Sequence, residues 1–367
     1  MAVLGGVRRT TLLLVLAAVV LSLGLVAGNG SGENRPASFS EIAQTDARAA
    51  ALELARQAGD LADDEETGTL AAELNRQAGV LAEQSALLVR AGSLRRGLPP
   101  FEVPSSDEAD DGAGADAAAR YVRSLTASAR TSLDAAMRAD VGTARLLAST
   151  GAAQQVLAVR AADAAGLDTP AAWEPVGPVG SGTRCTPEDQ ASAFTGAAPS
   201  GASGAAASGS SSPASAGGAA PQAAAALLGA IDAEYGAAYA QEVAMARTLG
   251  ADAVEDLAED REGHLAAGAR GVRLLPEVCL PALTRAPAYS LPPSFEADPE
   301  EALADVEESL PAVYADLAAL GSGAVRAWAV ERLAELSAEL YTGQRSVPAA
   351  PGLEQETEGL PRAAGTP

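Results

Sequence analysis

The chain has no lysine, one histidine, two cysteines and only 3% aromatic residues among its 367. Without lysine there is no Gly-x-x-x-x-Gly-Lys phosphate loop, and the glycine-rich stretches do not stand between a strand and a helix. His264 is the only imidazole. No Gly-x-Ser-x-Gly elbow accompanies it, so a Ser-His-Asp nucleophile has no frame, and a lone histidine on an acidic helix reads as a solvated residue. Positive charge is scarce too: 48 acids face 25 bases, and the resulting field of −23 repels phosphates and excludes a nucleic-acid partner. What the chain does have is 48% hydrophobic residues, enough to build a core, which excludes a disordered acidic tail. About a quarter of the residues are alanine and every basic residue is arginine, which points to helices and a GC-rich genome.

The N-terminus speaks to compartment. Arg8 and Arg9 precede an apolar run from Leu12 to Ala27, broken only by Ser22 and Gly24, and a polar stretch from Gly28 to Ala37 follows. A charged segment before a hydrophobic one reads as a signal peptide cleaved near Ala27 or Gly28, or as a retained N-terminal membrane anchor. In either case the two arginines place the rest of the chain outside the cytoplasm. No cysteine follows the run closely enough for a lipid anchor, and Val7 to Leu12 match a twin-arginine signal only loosely. Loss of residues 1–28 removes two arginines and no acid, leaving −25, an acidic and soluble exported part.

Cys185 and Cys279 are the only thiols, and two thiols in an oxidising compartment are expected to form one disulfide. Closing a loop of that length would contribute about 4–5 kcal/mol in the chain-entropy picture. A metal or redox pair is the alternative reading, for which close spacing or partner ligands are lacking.

Helical periodicity runs through the chain. Apolar positions recur at three and four residues from Phe39 to Leu61 and from Leu70 to Arg90, where Leu70, Leu74, Leu81 and Leu88 form one stripe with Glu, Arg and Gln on the other faces. An acidic turn at Asp63 to Glu66 makes these a hairpin. Gly97 to Ala115, with Pro99, Pro100, Pro104 and an acidic run, is a loop. The helical pattern resumes from Ala117 to Ala165 with a break expected at Ser149-Thr150-Gly151. Thr169 before Pro170, and Thr186 before Pro187, read as N-caps of short helices.

Residues 196–222 are almost entirely Gly, Ala, Ser and Pro, a composition that predicts a disordered linker. The domain reading is a signal or anchor with stalk over 1–37, and an N-terminal helical region over 38–172. A short helix and linker follow over 173–222, then a helical bundle over 223–353 and a flexible tail over 354–367. In the bundle, Leu228, Ile231, Tyr235, Ala238, Glu242, Met245 and Leu249 form the expected buried stripe of its first helix, with Glu234 at the edge. A second helix runs from Ala251 to Leu275. Asp298-Pro299-Glu300-Glu301 starts a third with an N-cap and a first-turn proline, and Pro311 should kink it. A fourth runs from Ser322 to Tyr341, giving an all-α fold of bundle-length helices.

Ala233-Glu234-Tyr235-Gly236-Ala237-Ala238-Tyr239-Ala240, Ala288-Tyr289-Ser290-Leu291-Pro292, Val306-Glu307-Glu308, Val313-Tyr314-Ala315 and Pro351-Gly352-Leu353 together resemble a ferritin-like domain of unknown function, number 4439, of actinobacterial exported proteins. The resemblance spans residues 223–353, and Leu146 to Gln154 resembles the helical segment such proteins place upstream. It implies a ferritin-like four-helix bundle outside the cell and assigns no activity.

A ferritin-like fold raises the question of di-iron chemistry, which takes a Glu from each of two helices and Glu-x-x-His from each of the other two. Glu234 and Glu307 stand where the first and third helices could supply carboxylates. Before His264, however, the matching residue is Arg261, and the fourth helix offers Glu331, Glu335 and Glu339 but no histidine. The set is incomplete, so no metal ligand, cofactor or catalytic residue is assigned. Glu234 and Glu307 are expected to pair with arginines such as Arg261 or Arg270, the alternative being a carboxylate site for a hard cation. Glu331, Glu335 and Glu339 with Arg332 read as a solvated face, and Trp328 and Tyr341 as core anchors. Two functions follow: a non-enzymatic envelope component binding a protein, a wall polymer or itself, or a ferritin-like domain binding a metal ion or small ligand within the bundle.

Overall fold

The computed structural model describes residues 36–64, 68–89, 115–175, 219–248, 250–353 and 360–363. The expected signal or anchor at Leu12–Ala27, the loop after Gly97, Thr186, Cys185 and nearly all of the linker lie outside the described residues. The described helices all belong to the unit Phe39–Pro367. Among the described residues no helix is long and apolar enough to cross a membrane.

That unit is all-α. Helices α1 (Phe39–Asp64) and α2 (Thr69–Leu87) form the expected hairpin, and α3 (Ala115–Ala136) and α4 (Val141–Ala164) a second one. The break between α3 and α4 falls at 137–140 and not at Ser149-Thr150-Gly151. Asp140 decides this by capping α4, its carboxylate accepting the Thr143 amide at 3.1 Å. Thr150 stays helical because its hydroxyl donates to the Leu146 carbonyl at 2.9 Å. Residues 167–175 hold no helix after Thr169; Trp173 packs there instead, its indole N–H donating to Asp134 at 2.8 Å.

Four further helices make the C-terminal part: α5 (Ala219–Met245), α6 (Ala251–Leu274), α8 (Pro299–Leu320) and α9 (Gly323–Tyr341), with the single turn α7 (Ser294–Ala297) before α8. Helix α5 begins inside the expected linker, since Pro221 is tolerated in a first helical turn. Asp298 caps α8 as expected, and Pro311 lies within that uninterrupted helix. Helix α6 turns only His264, Gly268 and Gly271 fully inward. A Cβ at Gly271 would stand 2.6 Å from Ile231 and 2.8 Å from Trp328, so its absence lets α6 close on α5 and α9. The tail is partly held: β2 (Arg362–Ala363) pairs antiparallel with β1 (Tyr289–Ser290), each satisfying backbone groups of the other.

The two helical regions share one core. Leu147, Ala148 and Ala152 of α4 belong to the same buried cluster as Leu310, Trp328 and Leu333, and Tyr314 meets Trp328 edge-on at 5.2 Å. Beyond α9 the chain runs back over the N-terminal helices, where Gln84 donates to the Ala349 carbonyl at 2.9 Å and Arg160 to Gln344 at 2.7 Å. Gln77 and Gln84 are fully buried, seven residues apart on the stripe of Leu74, Leu81 and Leu88, a correction to the expectation that the α2 glutamines face outward. The Tyr121 hydroxyl donates to Gln77, whose amide donates to the Leu157 carbonyl, so burial leaves neither group unpaired.

Gly352 anchors this returning segment. Its φ of +81° is left-handed, a Cβ there would collide with the Pro311 carbonyl, and its own carbonyl accepts from Arg145 at 3.0 Å. Gly352→Ala is expected to cost about 2–4 kcal/mol in urea denaturation, strain and overpacking together. An unchanged midpoint would show that residues 351–353 do not seat on α8.

Candidate functional site: a buried charge quartet

The inward line of α5 is Leu227, Ala230, Glu234, Ala237, Gln241 and Ala244. Ile231 and Ala238 of the expected stripe are buried as well, but this line lies one position away from it, so Glu234 moves from the edge to the centre of the bundle and Glu242 to the surface. Alanine permits the rotation, since it fits either face.

Glu234 is 0% exposed and is met from three other helices. His264 of α6 approaches its Oε2 with Nδ1 at 2.6 Å, while its Oε1 accepts from the Tyr314 hydroxyl of α8 at 2.5 Å and from Arg332 Nε of α9 at 3.3 Å. His264 Nε2 lies 2.9 Å from Glu307 Oε1 of α8, which also accepts from Gln241 at 3.1 Å. Arg332 reaches outward with Nη1 to Glu339 at 3.2 Å. The quartet Glu234, His264, Glu307 and Arg332 thus draws one charged side chain from each of the four long helices α5, α6, α8 and α9, in a line of alternating charge that runs Arg332, Glu234, His264, Glu307. It opens to solvent on the side of Glu307 and the half-exposed Glu335 and Glu339.

The geometry sets the protonation states. Both ring nitrogens of His264 face carboxylates, and only the imidazolium can donate to both. Burial alone pulls the His264 pKa down, but its hydrogen bonds to Glu234 and Glu307 and their charges outweigh this and push it up to about 10. Burial likewise pushes the Glu234 carboxyl up, and the His264 hydrogen bond and Arg332 charge reverse it, holding the group below the usual range. Tyr314 stays protonated: burial first and the neighbouring Glu234 charge second raise it. The carboxyl of Asp260, on the outer side of α6, is raised first by partial desolvation and then by the charge of Glu307.

Several expectations are corrected here. His264 is not solvated, because Glu234 and Glu307 replace water at both nitrogens. Glu234 does pair with an arginine across the bundle, but that arginine is Arg332; Arg261 and Arg270 reach the more exposed Glu242 and Glu331. Arg332 is 8% exposed and so leaves the expected solvated face, while Glu335 and Glu339 remain on it. Trp328 and Tyr341 are buried as core residues. Sequence alone gives Tyr314 and Gln241 no site role and places Arg332 with the solvated acids. A signal for Arg332 exists, since it stands four residues after Trp328 and seven after Val325, on the apolar side of α9.

The residues present do not fit a di-iron centre. Both oxygens of Glu234 and both nitrogens of His264 are committed to protein partners, and the Arg332 guanidinium supplies the positive charge beside Glu234. Among the described residues no group of three or more His, Cys, Asp and Glu is arranged to hold a metal ion. Cys279, buried at the end of a 3₁₀ turn, is described, but Cys185 is not, so the expected bridge falls outside the described residues.

Residues 226–355 match the family model of a Domain of unknown function (DUF4439), about a third of the chain. The match takes in the whole charge quartet and the Gly352 turn. No curated protein and no solved structure matches the chain.

Proposed function

We propose that this chain is an exported cell-envelope protein that works as a non-enzymatic binding or structural module. In this reading its C-terminal helices are a ferritin-like scaffold in which protein cations occupy the place of metal. The observation that carries the reading is the saturated centre of the quartet: both oxygens of Glu234 and both ring nitrogens of His264 are spent on other side chains, leaving neither of these two groups as a free base or an open ligand position. Such a site holds four helices in one register and offers a substrate nothing to react with. Export rests on Arg8, Arg9 and the Leu12–Ala27 run, with the protein secreted or anchored through that segment, and a Cys185–Cys279 disulfide belongs to the same reading.

Elemental analysis of the protein purified without chelator tests it. Iron, manganese, zinc and calcium are each expected well below one per chain. A stoichiometric transition metal would overturn the reading in favour of a metal-binding bundle and direct substitution to Glu234, His264 and Glu307.

A further inference from the structure

Helices α1 and α3 lie antiparallel with an open groove of about 950 Å³ between them. Arg138 covers Phe39 at one end, and Leu61 and Ala117 line the other. The groove therefore follows α1 for about 22 residues, roughly 33 Å at 1.5 Å per residue. Its floor is apolar and built of small side chains, Ala43, Ala47 and Ala50 on α1 and Ala135 on α3, with Leu54 and Tyr121 deeper. Small residues on both walls allow a third backbone to come close.

The two rims differ in sign. Asp46, Glu53 and Asp60 follow α1 at intervals of seven, and Arg120 and Arg123 stand on α3. Arg56, which does not line the groove, pairs with Glu53 and Asp60, whereas Asp46 has no ion-pair partner among the described residues and burial pushes its carboxyl up. Charges repeating every seven residues stay beside one another only along a second helix inclined by about 20°. An acyl chain would gain nothing from two charged rims. A second copy would bring another −23 to the face, which disfavours self-association and favours a basic partner.

We propose that this groove docks one amphipathic α-helix of a partner protein, about 20 residues long, with an apolar seam of small residues, a basic edge against α1 and an acidic edge against α3. The inference rests on the reading of the chain as a binding module, and its test fails independently of the metal analysis.

The test uses the intact chain and two synthetic 21-residue helical peptides with one Leu/Ala seam and one composition. The first carries Lys on one edge and Glu on the other; the second mixes both signs on each edge. Head-to-tail reversal cannot rescue the mixed peptide, as it would a peptide with exchanged edges. At low salt the segregated peptide is expected to bind on the order of tenfold tighter. Asp46→Lys with Glu53→Lys should erase that preference, and the milder Asp46→Asn should halve it on a logarithmic scale with far-UV dichroism unchanged. Equal binding of both peptides, no binding, or a preference that survives the rim changes would overturn the proposal. So would a dimer in sedimentation that Ala47→Glu dissolves, or peptide binding seen only after removal of residues 90–114, since either result gives the groove another occupant.

Discussion

Arg332→Met is expected to destabilise the fold by about 3 kcal/mol, lowering the melting temperature by roughly 6–12 °C. The cost comes from Glu234, fully buried and left with one cation where it had two. It lies at the lower end for a broken buried pair because His264 and Tyr314 still hold the carboxylate. Methionine keeps the packing of the arginine stem, so the loss reports charge and not a cavity. Combining it with Glu234→Gln should recover part of the loss, because the stranded charge is gone. Equal melting of wild type and Arg332→Met would show that the guanidinium contributes nothing to the buried carboxylate.

Raising the pH from 6.5 to 10 is the second large effect. The folded His264 pKa lies near 10 and the unfolded one near the ordinary 6.5. The folded chain therefore keeps a proton that the unfolded chain releases. The stabilisation is full below pH 6.5 and is lost as pH rises toward 10, at up to about 1.4 kcal/mol per unit. That corresponds to about 3–5 °C per unit, and His264→Gln should remove this slope while leaving other titrations common to both proteins. Because the chain has a single histidine, its imidazole resonance can be followed without assignment. The ring should keep imidazolium shifts through pH 8, and a midpoint near 6.5 would contradict the contacts with Glu234 and Glu307.

Legibility varied along the chain for physical reasons. The α8 start could be read because Asp298 and Pro299 carry local chemistry, and the structure keeps both roles. The α3–α4 break was misplaced because Ser149, Thr150 and Gly151 look like a turn until the Thr150 hydroxyl finds a carbonyl within its own helix. Glu234 and Glu307 could be singled out by placement on bundle helices. Which arginine meets Glu234 was harder to read, since Arg261, Arg270 and Arg332 are equivalent as residue types and only the spacing of Arg332 from Val325 and Trp328 sets it on an apolar face.

Residue order alone is enough to read that the chain is helical, where most helices lie, and that a single histidine falls short of the Glu and His set two irons take. Apolar periodicity and the census of rare residues suffice for that. It takes the packed helices to show that α4 shares a core with α8 and α9, and that one histidine and one arginine meet a buried glutamate from two sides. In helices so rich in alanine both faces can be buried at little cost, so periodicity leaves the rotation of α5 open by one position. Packing resolves it, because a buried carboxylate is stable only where His264 and Arg332 can both reach it.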